Sequence, residues 1–214
     1  MTSPIKVARP GPRDRAWSLF VYVCLACALV LAAVVGLRMF GNAADVAQGQ
    51  QHLQDQFSVS DGESVGVAAA AAFVKPPEPV PGNVLARITV PTLGQHWYVV
   101  EGVNPADIAT APGHYPGTAL PGQRGNFAVA GHREVGLFWD LDRIRQGDEI
   151  TVQTRQRTFT YVVTRNFITS PQSWPEVSAT PPGFQPGSRV LTLTTCDPKW
   201  DNYHRLVVHA VLES

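Results

Sequence analysis

The stretch Leu191-Thr192-Leu193-Thr194-Thr195-Cys196-Asp197-Pro198, LTLTTCDP, alternates apolar and polar side chains and then ends in a cysteine before a turn. Side chains two apart share a face of a strand, so Leu191 and Leu193 point one way while Thr192, Thr194 and Cys196 point the other. The leucines belong toward a core. That puts the thiol on the polar side, against the habit of structural cysteines to be buried.

Of the three cysteines, Cys24 and Cys27 lie inside one long apolar run, and Cys196 stands alone outside it. That run, residues 16–37, has 22 positions without a charge, enough to cross a hydrocarbon core of roughly 30 Å as a helix. A CxxC pair within it lacks the water and further ligands that a metal would need, so both thiols read as small membrane-helix side chains. Lys6, Arg9, Arg13 and Arg15 precede the run, offset by Asp14, whereas residues 41–82 carry five acids and one base. The positive-inside rule then sets the N-terminus in the cytoplasm and the bulk of the chain outside, with Arg38 the one dissenting charge. A cleaved signal sequence competes with a retained anchor, but its apolar region would be about 7–15 residues. In an oxidising space beyond the membrane, an unpaired Cys196 is either inert and buried or kept for chemistry.

The expected organisation is therefore a cytoplasmic tail over 1–15, a transmembrane anchor over 16–38, an extracytoplasmic linker over 39–82 and a catalytic domain over 83–214. The linker ends in the proline-rich KPPEPVPG and reads as a stalk. Its Ala43–Phe57 portion can continue as helix, but no core is specified there, and His52 reads as a solvated side chain.

From Asn83 onward, β-branched runs are broken by Gly and Pro. VLARITVPTL, HWYVVEGV, GNFAVAGH, DEITVQT, RTFTYVVTRNFIT, RVLTLTTC and HRLVVHAVL each read as strands. Seven or more strands in about 130 residues suggest an all-β closed barrel or a sandwich. GLFWDLDRI fits a short helix, and residues 170–188 form a long Pro/Gly loop of the kind that carries function. The chain holds 17 basic and 17 acidic residues and is formally neutral, with eleven of each sign over 83–214, so no nucleic-acid footprint is present.

A thiol becomes a nucleophile when a nearby cation or base ionises it. His132, at the end of GNFAVAGH and beside Gly131, is the strongest base candidate. His204 reads as a solvent-facing neighbour, and His96, His114 and His209 carry no spacing signal. Arg205, nine residues after Cys196, returns on an antiparallel neighbour if 197–204 form a turn, and its guanidinium suits a developing oxyanion. On that last strand Leu206, Val208, Ala210 and Leu212 form the apolar face, which leaves Arg205 and His209 on the solvent side. Asp197 opposes thiolate formation if it faces the sulfur; Asp before Pro favours a turn with the carboxylate bonded to backbone. Glu101, Asp107, Asp140 and Asp142 show no ligand-like spacing, and neither a metal nor a cofactor is expected.

Thr192-Leu193-Thr194-Thr195-Cys196 resembles the Thr-Leu-x-Thr-Cys signature of the sortase family, GNFAVAGHR resembles its histidine segment, and RLVVHAVL from Arg205 resembles its arginine strand. The three motifs occur in the family's order over roughly 83–214. GHYPGTALPGQRGN and CDP are most similar to class E sortases of high-GC Gram-positive bacteria. The resemblance implies a closed eight-stranded β-barrel anchored at the plasma membrane. Cys196 would attack the Thr–Gly carbonyl of a C-terminal sorting signal, His132 would act as acid and base, and Arg205 would steady the oxyanion or the peptide.

The implied partners are secreted proteins bearing that signal and an amine acceptor, such as a peptidoglycan precursor or a pilin lysine. An LAxTG-type signal and Tyr115 as the residue linked to that preference are also implied, and Thr194 and Thr195 are expected to shape the peptide site. Two other readings stay open: a cell-wall cysteine hydrolase that uses water, and an anchored non-catalytic β-domain.

Overall fold

The structure is a computed structural model that describes residues 12–62 and 80–213, and the chain divides into two compact units after Gly41. Helix α1 (Pro12–Gly62) belongs to the second unit from Asn42 on and begins in the first, where Trp17, Leu19, Phe20, Tyr22, Leu25 and Leu29 are exposed side chains. This stretch is long and apolar enough to cross a membrane. Cys24 and Cys27 are free thiols on its surface.

The second unit is a closed barrel of eight strands: β1 (Val84–Val90), β2 (Gln95–Glu101), β3 (Gly113–His114), β4 (Gly125–Ala130), β5 (Glu149–Gln153), β6 (Thr158–Thr169), β7 (Arg189–Asp197) and β8 (His204–Leu212). Around the barrel the order is β1-β2-β3-β4-β7-β8-β6-β5, closing on β1. Of the two folds left open by the strand pattern, the barrel is the one adopted. Seven strands fall on the runs read from sequence. The eighth, β3, has only two residues and too little length for a periodicity to show.

Alternation explains the closure. Ile88, Val99, Phe127, Val129, Val152, Leu191, Leu193, Val208 and Ala210 all face one buried cluster inside the barrel. The pairings Phe127↔Leu191↔Ala210 and Val129↔Leu193↔Val208 lay these side chains across β4, β7 and β8 in register. Gly94, at φ 63°, makes the tight return between β1 and β2. The GLFWDLDRI stretch forms a 3-10 helix over Phe138–Arg143, and Phe138 meets the Trp97 ring edge-on at 5.1 Å.

Two expectations need correction. His209 does not face solvent: it is wholly buried, because residues 170–188 fold back over the outer face of β7 and β8, with a 3-10 turn at Trp174–Val177. Thr192, on the same face, is also fully buried. The polar face of the cysteine strand is thus open to solvent only toward its end.

The helical stretch without an expected core also has a packed side. Val46 joins the main cluster, and Leu53 and Phe57 bury against Val84, Tyr98, Val100 and Ala111. Between Val46 and Leu53, the Gln50 carboxamide accepts from the Tyr98 N–H at 2.7 Å and donates to the Tyr98 and Thr110 carbonyls. A side chain here satisfies a strand edge that β3 is too short to reach.

Candidate active site

The site follows from register. Cys196 and Arg205 are direct partners across β7 and β8, and Thr194 stands opposite Val207 on the same face. On the other side of β7, Ala130 pairs with Thr194. The Gly131 N–H extends this ladder by donating to the Thr194 carbonyl at 3.0 Å. His132 follows two residues beyond the end of β4, where its carbonyl accepts from the Phe138 N–H at 3.2 Å.

Gly131 is needed at this junction because a Cβ there would stand 2.7 Å from the Phe138 ring. Cys196 is free and half-buried, as are His132 and Arg205. The Arg205 guanidinium donates to the carbonyls of Asn202 and His204 at 3.1 and 3.0 Å. Among the described residues no carboxylate pairs with it. A guanidinium held only by carbonyls keeps its positive charge for an incoming group.

Next to the Cys196–Arg205 pair lies a groove of about 150 Å³ whose walls include Tyr115, Thr169, Trp174, Glu176, Thr194 and Arg205. Of the expected peptide-site residues, Tyr115 and Thr194 line it, their hydroxyls 3.4 Å apart. Thr195 does not. It pairs with Leu206, on the inner face of the sheet, and its buried hydroxyl has no hydrogen-bond partner among the described residues.

Sequence reasoning missed the residue that ties the His132 segment to the end of the cysteine strand. Arg133 is buried next to His132; its Nη1 donates to the Cys196 carbonyl at 3.1 Å and lies 3.3 Å from Asp197 Oδ1, while Nη2 meets Asp142 at 3.0 Å. Its Nε donates to the Trp139 carbonyl at 3.0 Å. Asp197 is thus bonded to a side chain, not to its own turn backbone, and its charge is balanced by a guanidinium. The available signal was an arginine directly after the candidate base.

Asp140 and Asp142 are engaged with Lys199 at 3.2 and 3.5 Å, and Glu101 with His114 at 2.6 Å. No group of three His, Cys, Asp or Glu side chains able to hold a metal occurs among the described residues.

The loop over the outer face is pinned by buried polar groups. Asn126 donates to the carbonyls of Glu176 and Ser178 at 3.3 and 3.0 Å, and the Thr192 hydroxyl donates to Asn126 Oδ1 at 2.7 Å. Arg165 Nη2 lies 3.4 Å from Glu176 Oε2 and 3.2 Å from His209 Nδ1. Its guanidinium packs 4.6 Å above the Phe167 ring. Burial, helped by the adjacent Arg165 charge, lowers the His209 pKa to about 3. Burial also raises the Glu176 carboxyl above its usual range, with Arg165 opposing.

Barrel topology and a half-buried free thiol paired across two strands with an arginine define a class: closed-barrel proteins that present a cysteine beside a guanidinium. Comparison with known proteins narrows that class. The Sortase domain family model matches residues 88–213, and the chain belongs to that family, whose members are cysteine transpeptidases.

Sortase SrtE1 of Streptomyces coelicolor is 31% identical over 140 residues, 60% of this chain and 40% of that protein. Sortase E from Streptomyces avermitilis is 37% identical, with a TM-score of 0.57 over 63% of this chain and 91% of that structure. The crystal structure of Sortase E1 from Streptomyces coelicolor with a tripeptide in the active site is 30% identical, with a TM-score of 0.59 over 64% of this chain and 91% of that one. The match spans less than half of the curated Streptomyces coelicolor relative.

Proposed function

We propose that this chain is a membrane-anchored transpeptidase acting on secreted proteins that carry a C-terminal sorting signal of the LAxTG or LPxTG type. The Cys196 thiolate attacks the Thr–Gly carbonyl, the C–N bond breaks, and an acyl thioester remains on the enzyme. His132 gives its proton to the departing glycine amine and later removes one from the incoming amine. Arg205 faces the carbonyl oxygen as it gains charge. An amine of a peptidoglycan precursor or a pilin then takes the acyl group and frees the thiol. The observation that carries this reading is the direct pairing of Cys196 with Arg205 on the ladder that runs on toward His132.

The 16–38 segment anchors the protein, with 1–15 in the cytoplasm and the barrel outside. Tyr115 and Thr194 line one wall of the peptide groove and residues 170–177 the other, and Tyr115 bears on the choice between Ala and Pro at the second signal position. The full chain in detergent, given LAxTG and LPxTG peptides and a small amine, tests this by mass spectrometry of the products. The expected result is an amine-capped acyl peptide that disappears in Cys196→Ala while circular dichroism stays unchanged. Water as the acceptor even in excess amine would instead favour a hydrolase; turnover surviving in Cys196→Ala would end the cysteine mechanism.

A further inference from the structure

Behind the groove lies a buried polar chain that the proposed reaction does not use. Glu101 and His114 are 5% and 1% exposed, at the ends of β2 and β3, with His114 Nδ1 2.6 Å from Glu101 Oε2. The imidazole stacks near the Phe127 ring at 5.3 Å. Its Nε2 lies 2.8 Å from the Thr118 hydroxyl and 3.2 Å from the Ala119 carbonyl. The Thr118 hydroxyl in turn meets the Tyr115 carbonyl at 2.8 Å.

Hydrogen-bond accounting fixes the direction of this chain. The Ala119 and Tyr115 carbonyls can only accept. Nε2 therefore carries a proton toward Ala119 and Thr118, and Thr118 spends its single hydroxyl proton on Tyr115. One further proton is shared between Nδ1 and Glu101. Burying such a pair costs desolvation that an apolar pair of the same volume would avoid. Its far end is the backbone of Tyr115, whose side chain lines the groove beside Arg205 and reaches Thr194. The Tyr115 N–H is held separately by the Ala128 carbonyl at 2.9 Å.

We infer that Glu101, His114 and Thr118 form a positioning relay that fixes Tyr115 in the groove wall and so sets peptide affinity and selectivity without touching the peptide. The inference rests on the peptide groove proposed above. It assigns a role to His114, which the sequence left without one. Thr118 is the place to cut the relay. Thr118→Val keeps the volume, leaves Nε2 its bond to Ala119, and leaves the Tyr115 carbonyl its 3.1 Å bond from the Thr118 N–H. The fold should survive this loss of one hydroxyl, whereas Thr118→Ser restores the link.

The test uses the full chain in detergent with two peptides that differ only at the second signal position. Thr118→Val is expected to raise KM for the preferred peptide about fivefold, the scale of one hydrogen bond, and to shrink the preference between the two peptides. Its kcat should stay within about twofold of wild type, because the relay ends on a wall residue and not on the reacting groups. Thr118→Ser should return both KM and preference to wild type. A Thr118→Val enzyme with wild-type KM and preference, or a Thr118→Ser enzyme as impaired as Thr118→Val, would overturn the relay.

Peptide binding to chains that also carry Cys196→Ala, read by fluorescence anisotropy, separates this inference from the reaction itself. If wild type binds peptide but turns none over, the transpeptidase reading fails while the relay is still judged by whether Thr118→Val weakens binding. If no peptide binds at all, the relay falls with the groove.

Discussion

Adjacent residues on β7 meet opposite fates because a strand alternates. Cys196 ends the outer row, and Thr195 points inward with a buried hydroxyl and no partner among the described residues. An unsatisfied buried hydroxyl costs about 1–3 kcal/mol, and valine has its shape without the polar atom. Thr195→Val should therefore raise the thermal midpoint measured by calorimetry; a lower midpoint would mean that the hydroxyl is satisfied in solution.

His209 provides a second residue-level prediction. Its pKa is about 3 when folded against an ordinary 6.5, so below 6.5 the unfolded chain binds a proton that the folded chain refuses. Stability should fall as pH drops from 6.5 toward 3, by at most about 1.4 kcal/mol per pH unit from this group. Glu176, with its pKa raised above 4.5, acts in the opposite sense over the range just above that value. Urea unfolding of wild type and His209→Phe between pH 7 and pH 4 isolates the histidine: the variant should lose less stability on acidification. Equal slopes would mean that the folded chain takes up the proton at His209, held by Glu176 Oε2, which lies 3.3 Å from Nε2.

At the scale of elements, the helical stretch beyond Asn42 acts as an extra edge for β2. Gln50 occupies the backbone groups of Tyr98 on the side where β3 does not reach, and Gly49 lets the helix approach Thr110 so closely that a Cβ would stand 2.4 Å from its hydroxyl. Gln50→Ala should leave a buried N–H and carbonyl of β2 without a partner, lowering stability by about 1–3 kcal/mol and speeding amide exchange at Tyr98. Gly49→Leu should displace the helix altogether. Unchanged exchange at Tyr98 in Gln50→Ala would show that water replaces the carboxamide without cost.

The strands with clean alternation were legible from sequence, and so was the return of Arg205 opposite Cys196, because register follows from a period of two. The helix seat was not. Val46, Gln50, Leu53 and Phe57 lie on one stripe, but its central member is polar, so an apolar-periodicity reading breaks where the side chain imitates a strand. Likewise, the burial of His209 and Thr192 depends on a loop folding over them. That is a tertiary event which parity alone does not encode.

For the molecule as a whole, these contacts decide where the independently stable barrel begins. Composition suggests Asn83, where the proline-rich segment ends. Packing instead assigns Asn42 onward to the barrel's unit, with Val46, Leu53 and Phe57 each 7% exposed or less. Burying a side chain of this size is worth about 2 kcal/mol. A fragment starting at Asn83 would lose all three and uncover Val84, Tyr98, Val100 and Ala111 on the barrel wall. A fragment starting at Asn42 should therefore unfold at distinctly higher urea concentration than one starting at Asn83. The shorter fragment should bind a hydrophobic dye and associate at concentrations where the longer one is monomeric. Equal midpoints and equal dye binding would show that the helix rests on the barrel without stabilising it, and the folded unit would then begin where the composition changes.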